Sequence, residues 1–324
     1  MLRYSLKRMF SSLVIVWGVL TVTFVILHLA PGDPAAVYVR PEIPLETTQH
    51  IRQQLGLDQP LWIQYFYWLK GFLAGDMGTS FSHNRPVSQL LAEAIPNTLQ
   101  LTLVVLILQL ILGIILGVFM AVKQSTRAEK IISAFLMFLY AMPSFWLALM
   151  AIMLFSAKLG WLPASQMSSF QNMGSFGAQA LDRLRHLILP AAVLTIPFAT
   201  YTARYCKDSL LQVLVSDYIR AATAFGLAPR LILFKYALKN ALLPIVTLSG
   251  FYLPFLLGGA VVIEYIFSWP GVGRMTVNAI FSHDFPVILA STCVAALAVV
   301  VGNQISDMLY HAVDPRIRPQ GKGS

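Results

Sequence analysis

The sequence predicts an all-α integral membrane protein of six transmembrane helices, with both termini cytoplasmic and a helical extracytoplasmic segment after the first span. Three observations carry this. Hydrophobic residues make up 57% of the chain and charged residues 11%, where soluble domains carry about a quarter charged, and mean hydropathy is +0.69. Apolar runs of about the twenty residues a helix needs to cross hydrocarbon recur along the chain. Lysine and arginine gather in alternate connections, as the positive-inside rule requires.

The first run, 9–30, follows Arg3, Lys7 and Arg8. It is longer than a secretory signal core, and the Pro-Gly-Asp-Pro that follows is a poor cleavage site, so it reads as a retained N-terminal transmembrane helix, 1–30. Residues 31–96 read as an extracytoplasmic helical and interfacial segment: a helix capped near Thr47 and closed at Gly56, then LWIQYFYWLKGFL (61–73), whose aromatic rings suit the headgroup region.

The transmembrane core is expected over 97–310. Its second span is Asn97 to Val122, where Gly113 and Gly117 permit close helix contact and Gln109 requires a partner inside the bundle. The third, 131–158, is broken by Pro143; a polar outer loop follows at 160–185, and the fourth span, 186–205, carries Pro190 and Pro197. The fifth is expected at about 241–263, and a turn around Phe267, Trp269 and Pro270 is expected to dip into the interface before a short helix. The last span is 287–310, and 311–324 forms a cytoplasmic tail.

With the N-terminus inside, the inner segments hold Arg3, Lys7, Arg8, Lys123, Arg127, Lys130, Arg204, Lys207, Arg220, Arg230, Lys235, Lys239, Arg316, Arg318 and Lys322 of the 23 basic residues. Topology therefore accounts for the net charge of +9, and a nucleic-acid partner loses its support.

The segment Asp208 to Pro244, with its cytoplasmic loop 206–240, is a long polar-studded stretch between spans. Ser216 or Asp217 caps a short helix in which Tyr218, Ala221, Ala222 and Phe225 recur at i, i+3, i+4 and i+7, and Gly226 ends it. Pro229 opens the next helix. A short helix with an aromatic pair around two alanines is a docking element that lets another protein come close.

Chemistry of the chain's own is missing. There is no phosphate loop, no G-x-S-x-G and no HExxH; the six histidines have no metal-ligand spacing, and Cys206 and Cys293 have no CxxC relation. No catalytic residue, cofactor or metal is implied, which weighs against a membrane-bound enzyme. The spans offer almost no buried acids, which weighs against an ion-coupled carrier or channel. If energy enters from outside the chain, the short helix at 217–226 is where it is expected to enter.

Ten motifs in order resemble the permease subunits of bacterial ATP-binding-cassette importers of the peptide and nickel class: LAPGDPA (29–35), LGLDQPLWIQY (55–65), GDMGTSF (75–81), MPSFWLALM (142–150), KLGWLP (158–163), HLILPA (186–191), DYIRAATAFGL (217–227), ALKNALLPIVT (237–247), IFSWPGVGR (266–274) and DPRIR (314–318). The resemblance implies a type I importer permease that forms half of a translocation path for dipeptides or short oligopeptides, with nickel chelates or glutathione as alternatives. It also implies a bacterial inner-membrane location, a homologous second permease subunit, two ATP-binding subunits and an extracytoplasmic substrate-binding protein as partners. The 217–227 stretch is similar to the coupling helix that docks on the ATPase: Arg220, Ala221, Ala222 and Gly226 hold the positions of the general E-A-A, three residues, G pattern, with Arg in place of Glu. Ala221, Ala222 and Gly226 are then expected to make the close approach, and Tyr218, Phe225 and Leu227 to pack.

Overall fold

The computed structural model describes residues 2–29, 58–169, 175–245, 252 and 260–313. Among the described residues the regular structure is helical, joined by turns and irregular connections, with an isolated bridge between Thr79 and Pro86. The elements are α1 (Leu2–Leu29), α2 (Leu61–Leu73), α3 (Val87–Val122), α4 (Arg127–Ala141), α5 (Ser144–Ala151) continuing as a π-helical segment Ile152–Lys158, α6 (Phe176–Leu214), α7 (Asp217–Ala224), α8 (Pro229–Leu231), a π-helical segment Ile232–Ala237, α9 (Leu238–Ala241), α10 (Val272–Phe281) and α11 (Phe285–Val313).

Among the described residues, four helices are long and apolar enough to cross a membrane: Phe10–Leu29, Val87–Val122, Phe176–Leu214 and Phe285–Ser306. A fifth candidate is the pair Arg127–Ala141 and Ser144–Lys158, bent by 102°. The bend falls at Met142 and Pro143, where proline removes a backbone donor and pushes its predecessor out of the helical region; Met142 has ψ 136°. The expected helix at 47–56, most of the expected fifth span and all but the start of the expected tail lie outside the described residues.

Two compact units are recognised, residues 1–99 with 269–300, and residues 100–268 with 301–324. In the first, the apolar positions Val87, Leu90, Leu91 and Ala94 of α3 pack with Val272 and Ala279 of α10 and with the start of α11. This face explains why α3 begins ten residues before the expected span: 87–96 forms nearly three turns of amphipathic helix that the polar residues disguise. The aromatic stretch of α2 divides in two. Tyr65 bonds Thr21 of α1 at 2.7 Å, Trp68 and Phe72 pack on the cluster of Val16, Leu20 and Cys293, and Trp62, Phe66 and Tyr67 stay exposed.

Trp269 is a correction to the interfacial turn expected there. Its side chain is fully buried, and the indole N–H donates to the Asn97 carbonyl at 2.9 Å, so its one polar group is satisfied without water. Phe267, in the second unit, is equally buried, and its carbonyl accepts from the Gln166 amide at 2.7 Å.

In the second unit α3 lies directly on α6. A Cβ added at Gly113 would stand 2.6 Å from the Thr202 side chain, and one at Gly117 would stand 2.5 Å from Cys206 Cβ and 2.6 Å from the Ala203 carbonyl. The two glycines, one turn apart, thus set the interhelix distance. The same contact supplies the partner that Gln109 needs: Thr202 Oγ1 donates to Gln109 Oε1 at 2.7 Å and lies 3.3 Å from the Tyr252 hydroxyl. α6 is longer than the expected span at both ends. Residues 176–185, expected as loop, are helical because Ala, Gln, Leu and Arg propagate a helix. Pro190 and Pro197 are carried inside it.

Gly117→Ala is expected to cost about 1–3 kcal/mol, since neither the Ala203 backbone nor Cys206 can yield without moving α6. Gly18→Ala, which meets nothing within 4 Å, is expected to be silent. Thermal unfolding of both variants in detergent compares them directly.

Candidate functional site

The polar connection after α6 folds into a helix with two distinct faces. Ser216 occupies the N-cap of α7, but its hydroxyl donates back to the Val213 carbonyl at 2.6 Å and caps none of the first-turn amides. At the other end the Gly226 amide donates to the Thr223 carbonyl at 3.0 Å and the Leu227 amide to the Ala222 carbonyl at 3.2 Å. These are the two bonds of a Schellman turn, and they require the residue between to be left-handed. Gly226 has φ +75°, and a Cβ there would meet nothing within 4 Å. The glycine is held by conformation alone.

Ile219 and Ala222, three residues apart, turn inward and pack with Ala121 of α3, Leu210 of α6, Ile232, Ala237 and Ala241. Leu227 closes this cluster from beyond the turn. Tyr218, Arg220, Ala221 and Phe225 face outward, with Phe225 87% and Tyr218 45% exposed. The two alanines are thus parted: Ala222 is 9% exposed inside the chain's own core, and Ala221 is on the open face. Arg220 stands 3.8 Å from Asp217 with both side chains in solvent, a pair that contributes little.

Of three contacts that the sequence did not announce, the first holds this helix to the bundle and the other two brace α6 beside it. Asn240 Nδ2 donates to the Tyr218 hydroxyl at 2.8 Å, Lys207 Nζ meets Glu129 Oε1 at 2.8 Å, and Ser209 Oγ donates to the Ala241 carbonyl at 3.0 Å. Glu129 is 7% exposed, so its charge is held by Lys207 rather than by water. The only sequence signal for these is the i, i+3 recurrence of Ile219 and Ala222, which marks an inner face and hence a neighbour.

Among the described residues no group of three or more His, Cys, Asp or Glu could hold a metal ion. His28 is bonded to the Phe24 carbonyl and stacked on its ring, and His186 to the Asp182 carbonyl. Ser80 Oγ donates to Asp284 Oδ2 at 2.6 Å and lies 3.2 Å from His83 Nδ1, which ties the 75–86 turn to the start of α11.

Comparison with known proteins adds three findings. The profile of the family described as binding-protein-dependent transport system inner membrane component matches residues 113–319, and that of its N-terminal membrane component matches residues 1–102. The chain is 40% identical over 318 residues to the oligopeptide transport system permease protein AppB of Bacillus subtilis, covering 98% of this chain and 99% of that one. It is 36% identical to the glutathione transport system permease protein GsiC of Salmonella typhimurium, with the same coverage, and 36% identical to the dipeptide transport system permease protein DppB of Alkalihalophilus pseudofirmus, covering 98% and 100%. A solved inward-facing structure of the MetNI methionine ABC transporter superposes with a TM-score of 0.57 at 19% identity, over 70% of this chain and 97% of that one, a likeness of fold.

Gly226→Val is expected to strain the Schellman turn by about 1–2 kcal/mol, the cost of left-handed backbone for a side-chain-bearing residue. Gly226→Asn, which tolerates that conformation, is expected to behave close to wild type. Limited proteolysis at the turn, with thermal unfolding as a second readout, separates the two.

Proposed function

The chain belongs to the inner-membrane permease components of binding-protein-dependent transport systems, and from that premise we propose that it forms half of the path of a peptide importer driven by ATPase subunits docked on α7. The observation that carries the docking is the two-faced helix itself. Ile219 and Ala222 fix it to the bundle, while Phe225 and Tyr218 leave a large apolar surface in water beside Ala221. An exposed aromatic on an anchored helix marks an interaction site.

In this reading the chain crosses a bacterial inner membrane six times with both termini in the cytoplasm. Residues 1–30 form the first span, 31–96 the extracytoplasmic segment, 97–310 the core with its coupling loop 206–240, and 311–324 the tail. Its partners are a homologous second permease, two ATP-binding subunits, the lipid bilayer and an extracytoplasmic binding protein that delivers substrate. ATP hydrolysis belongs to the separate subunits. Tyr218, Arg220, Ala221, Phe225 and Gly226 form the surface offered to the ATPase, while Ala222 and Leu227 hold the helix at its angle. When the ATPases close, α7 transmits the displacement to α6 through Leu210 and to α3 through Ala121, and the bundle alternates its access.

Dipeptides and short oligopeptides are the proposed cargo, because relatives covering essentially the whole chain are named for oligopeptide and dipeptide transport. Glutathione, itself a peptide, is the alternative favoured by another relative. A nickel chelate is a further alternative.

Phe225→Asp is expected to abolish ATPase stimulation by loaded binding protein and to reduce uptake at least tenfold, with membrane insertion unchanged, since hot-spot aromatics of this kind contribute about 2 kcal/mol or more. Retained uptake would remove α7 from the docking surface. Uptake of labelled dipeptide, glutathione and nickel by cells lacking the chain sorts the substrate; loss of metal uptake alone would overturn the peptide reading.

A further inference from the structure

The aromatic helix α2 sits deeper on its neighbours than a headgroup helix does. In the first unit the ends of two membrane-length helices meet: the His28 ring of α1 lies 5.6 Å from the Phe285 ring of α11. From that level both run inward at about 1.5 Å per residue, which puts Thr21 about 12 Å below Leu29 and Cys293 about 12 Å below Phe285. Thr21 is also about 16 Å from Phe10 at the other end of its span, so it lies within hydrocarbon whichever end faces out. Its hydroxyl is the one that Tyr65 of α2 bonds at 2.7 Å. Farther along α2, Trp68 and Phe72 pack on the cluster of Val16, Leu20 and Cys293, and the Trp68 ring stands 5.5 Å from that of Phe24. Three successive turns of α2 therefore rest on the interior part of α1.

At this depth α2 does not go on to the other side. Its 13 residues make a helix about 20 Å long against about 30 Å of hydrocarbon. The chain then turns back: a Cβ at Gly78 would stand 3.5 Å from Pro286 Cβ, at the level where His28 meets Phe285. The turn closes on its own backbone. The Gly75 amide donates to the Phe72 carbonyl and the Asp76 amide to the Gly71 carbonyl, both at 3.0 Å, with Gly75 left-handed at φ +89°, so the last carbonyls of the helix need no water. At the other end Gln64 Nε2 donates to the Gln59 carbonyl at 2.8 Å. Lys70, in the last turn, is the single charged residue of α2, and its alkyl stem can carry the ammonium toward the headgroups. The face opposite Tyr65, Trp68 and Phe72 is apolar and open: Trp62, Phe66, Tyr67 and Leu73 are 62% to 78% exposed.

We propose that α2 is a re-entrant helix, and that its open face of Trp62, Phe66, Tyr67 and Leu73 is bedded in the acyl chains of the leaflet around the Leu29 end of α1. Within the extracytoplasmic segment 31–96, α2 dips into the bilayer and returns to the side it came from. The proposal rests on α1 and α11 crossing the membrane and is independent of the cargo. Its depth assigns the occupant. Beside the middle of a span there is no bulk water to meet exposed rings, and a helix with its backbone bonds made internally is a form of chain that hydrocarbon tolerates.

The test is made on the complete transporter in vesicles of phosphatidylethanolamine and phosphatidylglycerol, with a nitroxide on a cysteine introduced into this chain. Collisions are measured with oxygen, which concentrates in hydrocarbon, and with a charged metal chelate, which stays in water. Phe66→Cys and Leu73→Cys, both at open positions, are each expected to give an oxygen-to-chelate ratio roughly tenfold or more above that of Asp58→Cys in the exposed stretch before α2, since hydrocarbon excludes a charge by at least that factor. Both are expected to match Val22→Cys on the open side of α1. A ratio like that of Asp58→Cys at either site, beside a lipid-like Val22→Cys, puts the face in water and overturns the proposal. Few collisions with both reagents overturn it as well, because a protein then covers the face. Frequent chelate collisions at Val22→Cys overturn the crossing of α1 and the proposal with it.

Discussion

Everything around α7 in the second unit depends on how closely α3 approaches α6. With no hydrophobic force between helices in lipid, association rests on packing and on the few polar contacts that cannot be made elsewhere. Gly113 and Gly117 remove the side chains that would keep the helices apart, and Thr202 then comes near enough to satisfy Gln109. The glycines and the glutamine carbonyl act together: the close approach lets Thr202 donate to Gln109 Oε1, while Gln109 Nε2 stays buried without a partner, and that one hydrogen bond gives the approach its register. Farther along the same two helices, Ala121 and Leu210 form the floor on which Ile219 and Ala222 of α7 sit. A shift of α6 against α3 would therefore tilt the docking helix.

This arrangement divides labour between rigid and compliant parts. α7 is fixed by small buried residues, by the Asn240–Tyr218 bond and by a glycine turn that admits one backbone conformation. The helices around it carry the irregularities: a 102° bend at Pro143, prolines at 190 and 197 within α6, and two π-helical segments, at Ile152–Lys158 and Ile232–Ala237. Such segments are frequent at functional sites, since an extra residue per turn loosens the hydrogen-bond ladder locally. A permease that is pushed at one end and must open at the other has use for a stiff lever on a deformable bundle.

Much of this was legible in the sequence where the cause is local. Proline at 143 dictates a break, paired glycines four apart dictate close packing, and a glycine after an amphipathic turn dictates a left-handed cap. The rest depends on partners far away in the chain. Trp269 reads as an interfacial anchor until Asn97, 172 residues earlier, offers its carbonyl. Residues 87–96 and 176–185 read as loop because polarity was taken for irregularity, whereas helix propensity and the apolar positions of a single face decide the matter. In α7, the spacing of apolar residues and the closing glycine already mark a short helix with a left-handed end. The assignment of Ala221 and Ala222 to opposite faces required the inner cluster, because two adjacent small residues carry no signal of which one points in.

The central claim is that α7 is where the ATPase engages. A cysteine introduced by Phe225→Cys tests it most directly, because Cys206 and Cys293 are both buried and leave the new thiol as the reactive one among the described residues. With a short bifunctional reagent in native membranes, the account predicts a covalent adduct with an ATP-binding subunit that changes in yield when nucleotide is added. A thiol that labels freely with a soluble maleimide in the assembled transporter, and forms no such adduct, would contradict it.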